Sequence, residues 1–345
     1  MSSAPADDWK RRTVPGVYPL TMLEIAADRG VASSLLLSDA GLSVTPADIA
    51  ESGLAFEEHV RLMYAIEARV GDPRVGVELG WRLPPTALGS VGHAILASAT
   101  GADALAALQR FWHLIGYACS IAVDTKGETG CVEVYVHLPL TEPERARVKE
   151  VCLVSMRRGV LALVPDAAGE TEAWFDFAEP SHGGFVRERL GRVRYDAPSC
   201  QFRFPTRLLS RPLALSSAAG LKAAVRACER EEEERGLSDG RLIARLRSEL
   251  KPGAKGYPSL DEMARRLGMA PRTLRRHLKH EGAGYAEMLE DARRSEALKL
   301  LGNPQLATHQ VAQRLGYLDP ANFTRAFRRW TGQTPSEYRR RVVGE

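Results

Sequence analysis

The sequence SLDEMARRLGMAPRTLRRHLKH at residues 259–280 is followed by a second copy of its pattern, THQVAQRLGYLDPANFTRAFRRWT, at residues 308–331. Glu262–Gly268 aligns with Gln310–Gly316, 48 residues further along the chain. After the glycine, each copy has two large apolar residues four positions apart, which share one face of a helix. These residues are Leu274 and Leu278 in the first copy and Phe323 and Phe327 in the second. The repeat therefore predicts a duplicated module of two short helices.

Each copy meets the packing requirements of a helix-turn-helix motif. Ala264 and Ala312 supply the small residue that two crossing helices need, and Gly268 and Gly316 allow a sharp reversal of the chain. Residues 285–301 contain no glycine or proline and predict one connecting helix of about five turns. A generic helical bundle is the alternative.

Sequence signals also mark where these helices begin. Ser259 and Glu262 fit a capping box, in which each side chain accepts a hydrogen bond from the other residue's backbone N–H. Pro271 and Pro320 suit the first turn of a helix, and Asp319 can cap the helix that Pro320 begins. We therefore predict helix starts at these residues.

Charge is unevenly distributed along the 345 residues. Residues 241–345 carry a net charge of +10 and the rest of the chain carries −6, although the whole chain has only +4. This polarity indicates that one end of the chain meets a polyanion. A basic solvated surface is the alternative.

Composition disfavours several classes of protein. A hydrophobic content of 44% indicates buried cores rather than disorder, and no apolar run reaches the length of a membrane span. The five cysteines are widely spaced without a C-x-x-C, so neither a disulfide framework nor a zinc site is expected. The polar first residues lack the apolar core of a signal peptide. We therefore expect a cytoplasmic protein with no cofactor and no membrane contact.

The second helix of a helix-turn-helix motif fits the major groove of B-DNA, where its exposed early residues reach the base edges. Two motifs on one stiff linker helix can enter successive major grooves, about 34 Å apart. Because the paired apolar residues face inward, the basic residues of the same helices face outward. The pattern predicts binding to double-stranded DNA, with phosphate contacts from Thr273, Lys279, Arg328 and Arg329.

We predict an α+β domain of helices and a small sheet, followed by an all-α double helix-turn-helix domain. The predicted strands are 120–124, 131–138, 172–177 and 200–204, and the predicted helices include 102–116, 142–163 and 184–190. The predicted divisions are a sensor and dimerisation domain at 1–215, a linker helix and hinge at 216–240, and a DNA-binding domain at 241–345. The last contains motifs at 259–280 and 308–331 and a linker helix at 284–301.

Residues 260–340 resemble the DNA-binding domain of the AraC/XylS transcription regulators. The resemblance rests on RTLRRHLK at 272–279, VAQRLGYLDPANFTRAFRRWTG at 311–332 and QTPSEYR at 333–339. Upstream, residues 26–212 resemble the sensor domain of ornithine-utilisation-type members, which implies a pocket other than the cupin-type sugar pocket. That second resemblance is carried by Leu88–Gly89, Ala102–Phe111 and Leu209–Pro212.

The resemblance also implies which residues read DNA. Arginine can form two hydrogen bonds with O6 and N7 of guanine, and asparagine can form two with the edge of adenine. Alanine can make only an apolar contact with the methyl group of thymine. Family membership further implies a homodimer that activates transcription together with RNA polymerase at a promoter. The implied base-reading residues are Arg272, Arg275, Arg276, Ala321, Asn322 and Arg325.

A regulator of this kind needs an input, and a small-molecule effector is the usual one. Trp112, His113 and Tyr117 are candidates for lining its pocket, with ordinary core packing and a pure dimerisation role as alternatives. His277 and His280 lie three apart on a helix, but no third ligand is evident, so we expect no metal site.

Two other classes compete with a sequence-specific regulator. Some DNA-repair alkyltransferases carry a similar pair of motifs beside a four-cysteine zinc cluster that makes a cysteine nucleophilic. The cysteine spacing here argues against such a cluster, and we expect no enzyme. A sequence-neutral architectural protein would rely on phosphate charge and DNA deformation instead of base-reading helices.

Overall fold

The computed structural model describes residues 13–343 apart from 117, 137, 139, 236–241, 243–244, 248, 254–255, 281–283 and 318. The chain divides between Arg241 and Leu242 into two compact units, here called the N-terminal and C-terminal units. The first contains helices and a small sheet, and the described elements of the second are helices. The predicted fold class is therefore confirmed. No described helix is long and apolar enough to cross a membrane.

Helices make up most of the N-terminal unit, and several begin at a capping box. Thr100 Oγ1 accepts a hydrogen bond from the backbone N–H of Asp103, whose carboxylate accepts one from the N–H of Thr100 at 3.1 Å. The predicted helix 142–163 is confirmed at both ends. The helices are α1 (Val17–Ala27), α2 (Ser33–Asp39), α3 (Pro46–Ser52), α4 (Phe56–Val70), α5 (Val75–Trp81), α6 (Gly89–Leu96), α7 (Gly101–Ile115), α8 (Glu142–Leu163), α9 (Gly183–Leu190) and α10 (Ala218–Arg235).

The strands of this unit are β1 (Thr13–Val14), β2 (Leu54–Ala55), β3 (Cys119–Asp124), β4 (Thr129–Val136), β5 (Glu172–Trp174), β6 (Arg192–Arg194) and β7 (Gln201–Pro205). β1 pairs with β2, and the other five form one sheet in the order β3–β4–β7–β5–β6. β5 and β6 are parallel, and the other neighbours are antiparallel. Val132, Val134 and Phe202 pack from the sheet into the core that α7 and α8 share. The strand predicted at 172–177 is shorter, but Phe175 beyond it is fully buried.

α10 belongs to the N-terminal unit, although 216–240 is predicted as a linker helix and hinge. Its Cys228 is fully buried in that unit's core. Ser90 Oγ of α6 donates to Glu231 Oε2 at 2.7 Å, so part of the acidic run is paired rather than only solvated. Residues 236–241, where the predicted hinge ends, lie outside the described residues.

The C-terminal unit has two apolar cores that share one helix. The first core contains Leu274, Leu278 and Met288, and the second contains Phe323 and Phe327 together with Leu298 and Leu301. The helices of this unit whose bounds the structure describes are α11 (Leu260–Arg266), α12 (Pro271–His280), α13 (Tyr285–Leu301), α14 (Thr308–Arg314), α15 (Pro320–Thr331) and α16 (Pro335–Val343). Because Met288 lies near the start of α13 and the two leucines near its end, each core holds one end of this helix.

Both helix-turn-helix turns contain a glycine in the left-handed region, Gly268 at φ 73° and Gly316 at φ 83°. An added Cβ at Gly268 meets open space, whereas at Gly316 it lies 3.2 Å from the Cα of Gly256. We expect Gly316→Ala to cost about 1–2 kcal/mol of unfolding free energy from its backbone conformation alone, and more from this contact. Gly268→Ala, the matched control, should cost only the backbone part. Urea unfolding followed by circular dichroism measures both, and equal losses would contradict the role of the close approach.

Candidate nucleic-acid interface

The helices of both motifs begin as the sequence predicts. Ser259 N donates to Glu262 Oε2 at 2.7 Å and Glu262 N donates to Ser259 Oγ at 3.2 Å, which completes the predicted capping box. Asp319 Oδ1 accepts from Ala321 N at 2.8 Å, at the start of α15. Each bond satisfies an N–H that the helix leaves unpaired. These caps fix the first residues of α11 and α15.

The inward faces of α12 and α15 anchor the two motifs in their cores. Leu274 and Leu278 on α12 are at most 2% exposed, and Phe323 and Phe327 on α15 are fully buried. The predicted inward pairs are therefore confirmed. Because residues three and four apart share a face of a helix, the basic residues between these pairs lie on the opposite face.

The outward face of α12 is positively charged. Arg272, Arg275, Arg276 and Lys279 are exposed and Thr273 is half-buried. Arg275 Nη2 lies 3.7 Å from an Asp261 oxygen, and such an exposed ion pair contributes little to stability. The four cations therefore form one surface that suits a polyanion, and their division into base and phosphate contacts stays a prediction.

α15 presents an equivalent outward face. Ala321, Asn322, Arg325, Arg328 and Arg329 are all exposed. Arg325 Nη2 donates to Asn322 Oδ1 at 2.5 Å, so the structure brings two of the predicted base-reading residues into contact. A guanidinium has five N–H donors, so this bond leaves others for a base edge. The roles of these residues also stay predictions.

Arg329, a predicted phosphate contact, binds Glu290 of α13. Trp330 Nε1 donates to the same carboxylate oxygen at 2.6 Å. Burial acts to raise the pKa of Glu290, but the hydrogen bonds from Arg329 and Trp330 outweigh it and hold this pKa below its ordinary value. Glu290 therefore stays ionised and competes with phosphate for Arg329. The sequence holds no signal for this pair, whose members lie 39 residues apart.

Glu290→Gln should raise the affinity for DNA of any sequence and make binding more dependent on salt. The amide oxygen can still accept from Trp330, but it no longer neutralises Arg329, whose charge becomes available to one more phosphate. We expect the slope of log K against log salt concentration to steepen by about 0.9. Fluorescence anisotropy with a random-sequence duplex measures this slope.

Glu287 is an exposed glutamate on the same helix that offers a matched control. Glu287→Gln removes the same charge without releasing an arginine, so its slope should stay close to that of the original protein. Indistinguishable slopes for the two variants would show that Glu290 does not restrain Arg329.

The N-terminal unit contains a largely apolar cavity of about 260 Å³. Of the predicted effector residues, Trp112 lines this cavity, His113 is not among its lining residues, and Tyr117 lies outside the described residues. Trp112 Nε1 donates to the Cys119 carbonyl at 2.9 Å, which fixes the ring. Most lining residues come from helices far apart in sequence, which is why sequence reasoning missed them.

His113 instead joins α7 to α10. Its Nε2 lies 2.7 Å from Glu232 Oε1, and both side chains are only 7% exposed. Arg110 and Glu229, about one turn away on the same two helices, form a second pair at 2.5 Å. α7 therefore faces the cavity through Trp112 and contacts α10 through the next residue.

The cysteines, all within the described residues, form no disulfide. Cys119 and Cys152 both line the cavity, with their sulfur atoms 3.5 Å apart. Within the described part of the chain, no three histidine, cysteine or acidic side chains are grouped so as to hold a metal ion.

Comparison with known proteins gives matches to both units. Residues 30–213 match the family described as the arabinose-binding domain of AraC transcription regulators, and residues 263–341 match a helix-turn-helix domain. The ornithine utilization regulator of Pseudomonas aeruginosa is 30% identical, over 94% of this chain and 96% of that protein. The regulator VirS of Mycobacterium tuberculosis is 28% identical, over 81% and 82%. The crystal structure of the regulator CdpR from Pseudomonas aeruginosa shares 26% identity over 88% of this chain and 95% of that chain, with a TM-score of 0.42.

The first family match spans more than half of the chain, and the ornithine utilization regulator is similar along nearly all of both proteins. The predicted resemblance is therefore confirmed, and neither the architectural nor the alkyltransferase alternative is favoured. With a helix-turn-helix domain matched at 263–341 and two outward-facing basic helices within it, the chain belongs to the AraC family of DNA-binding transcription regulators.

Proposed function

We propose that this regulator binds specific promoter sequences through α12 and α15 and responds to a small molecule held by the N-terminal unit. The observation that carries the proposal is the placement of α13, whose two ends are embedded in the two motif cores. Recognition of successive major grooves requires a fixed spacing between the reading helices. A linker helix held at both ends supplies that spacing.

The reading positions follow from the inward pairs. Arg276 lies midway between Leu274 and Leu278, and Arg325 lies midway between Phe323 and Phe327, so the two arginines occupy equivalent places. In the proposal, bases are contacted by Arg272, Arg275, Arg276, Ala321, Asn322 and Arg325. Phosphates are contacted by Thr273, Lys279, Arg328 and Arg329.

Selection of duplexes from a random library by the full-length protein tests sequence specificity. The selected duplex and a shuffled duplex of the same composition are then compared for affinity at one salt concentration. We expect the selected duplex to bind at least about a thousandfold more tightly, as sequence-specific regulators do. Similar affinities for the two would overturn the proposal in favour of an architectural DNA-binding protein.

The regulatory half of the proposal treats residues 1–215 as the sensor and dimerisation domain and residues 241–345 as the DNA-binding domain. Trp112 at the cavity and the buried His113–Glu232 pair offer a route by which ligand binding reaches α10, the last helix of the N-terminal unit. The protein would act in the cytoplasm as a homodimer without catalytic activity, and it would activate transcription with RNA polymerase, as the AraC/XylS resemblance implies.

A further inference from the structure

The cavity of the N-terminal unit has room for a small molecule. Its walls include Phe56, Leu79, Leu105, Trp112 and Val148, which come from α4, α5, α7 and α8. Water occupies about 30 Å³ per molecule in the liquid, so a cavity of about 260 Å³ holds on the order of ten non-hydrogen atoms. Such concave apolar pockets are typical of ligand sites, where a few polar groups set the orientation.

One polar cluster interrupts these walls. Arg147 Nε lies 2.8 Å from Glu67 Oε1 in an ion pair, while Arg147 Nη1 is buried and has no hydrogen-bond partner among the described residues. Glu144 already accepts hydrogen bonds from Tyr64 at 2.5 Å and from Thr141 at 2.7 Å. The cluster therefore offers a buried donor without a partner beside two carboxylates that are already engaged.

A histidine that also lines the cavity stays neutral. His59 is buried, and burial lowers its pKa to about 4. Near pH 7 the charged lining groups are therefore Glu67, Glu144 and Arg147, which sum to one negative charge. This negative charge opposes an anionic ligand. Both carboxylates already have partners, so little of their charge is available to a cationic ligand.

We infer that this cavity binds an uncharged, largely apolar molecule with a single hydrogen-bond acceptor, such as a ketone, that receives a hydrogen bond from Arg147 Nη1. The inference rests on the proposal that the N-terminal unit senses a small molecule, and it names the chemical class. A sugar does not fit, because each of its hydroxyl groups would need a polar partner that the apolar walls do not supply.

Isothermal titration calorimetry with the full-length protein and no DNA tests the ligand class. Four probes are benzene derivatives of similar size and shape. Acetophenone is uncharged with one hydrogen-bond acceptor, isopropylbenzene has no acceptor, benzoate is anionic and α-methylbenzylamine is cationic. L-Arabinose is the fifth probe and represents the sugars. Hydrogen bonds to charged groups are strong, so acetophenone should bind on the order of ten- to a hundredfold more tightly than isopropylbenzene. Benzoate and the amine should bind more weakly than acetophenone, and L-arabinose should give no saturable binding.

Several results would overturn the inference: equal affinities for acetophenone and isopropylbenzene, tighter binding of either charged probe, saturable binding of L-arabinose, or no binding of any probe. None of these results bears on the DNA library selection, which is performed without ligand. Failure of the ligand class is therefore distinguishable from failure of the proposed function.

Leucine substitutions at two glycines, one inside and one outside the cavity wall, test where the ligand binds. Gly159 on α8 lines the cavity, and an added Cβ there meets open space. Gly159→Leu should therefore fill part of the cavity and weaken acetophenone binding at least about tenfold. Gly184 on α9 is exposed, also meets open space and does not line the cavity, so Gly184→Leu is the matched control. Unchanged affinity in Gly159→Leu would place the ligand elsewhere.

Arg147→Lys tests the donor separately. Lysine keeps the positive charge beside Glu67 but lacks the second guanidinium nitrogen. We expect the preference for acetophenone over isopropylbenzene to fall close to one, while isopropylbenzene binds as before. A preference that persists would show that Arg147 is not the donor. If this variant does not fold, the probe series and the glycine pair still decide the inference.

Discussion

Phe327→Ala should lower the unfolding free energy of the C-terminal unit by about 3–5 kcal/mol. Phe327 is fully buried, and the centroid of its ring lies 5.7 Å from the ring centroid of Phe323 and 5.6 Å from that of Tyr338. Alanine leaves a cavity among these rings, which neighbouring side chains close only in part. Hydrogen exchange of backbone amides in residues 308–343 reports the loss within this core, separately from the N-terminal unit.

Two variants control this experiment. Arg328→Ala changes the next residue, which is exposed, and should alter the unfolding free energy by no more than about 0.5 kcal/mol. Leu278→Ala creates the equivalent cavity in the first motif and should cost about 2–5 kcal/mol there. A loss below about 1 kcal/mol for Phe327→Ala would show that the second core does not hold α15 as the structure describes.

The sequence predicts local features of this fold well because their causes are local. The absence of glycine and proline from 285–301, with a glycine directly after it, predicts α13 at its observed bounds. The spacing of Leu274 and Leu278 predicts their burial, because a helical period fixes which residues share a face. The Ser259 capping box is likewise confirmed, since its two partners lie three residues apart.

Features that depend on distant parts of the chain are not predictable in this way. The cavity is formed by helices from across the N-terminal unit, so the sequence offers Trp112 as a candidate lining residue but gives no indication of Arg147. The pairing of Glu290 with Arg329 depends on how α13 packs against α15, which no sequence period encodes. The packing of α10 on the N-terminal unit likewise requires tertiary contacts such as the buried Cys228.

Arg276→Ala and Arg325→Ala should each relax base preference at one position of the selected site and cost about 1–3 kcal/mol of binding free energy there. Each arginine lies on the outward face, midway between the two large apolar residues that its helix buries four positions apart. If an arginine forms hydrogen bonds with a guanine, its removal lowers the affinity for the duplex that carries this guanine. The affinity for duplexes with another base at that position should hardly change. Affinities for the selected duplex and its single-base variants, measured at one salt concentration, give this pattern.

Lys279→Ala removes a charge from the same outward face of α12 without removing a predicted base contact. It should weaken the selected and shuffled duplexes by the same factor and reduce the salt slope by about 0.9. The contrast separates the two kinds of contact, because a lost phosphate contact acts on every sequence and a lost base contact acts on one. If Arg276→Ala weakened all duplexes equally, Arg276 would be a phosphate contact. Base reading by α12 would then depend on Arg272 and Arg275.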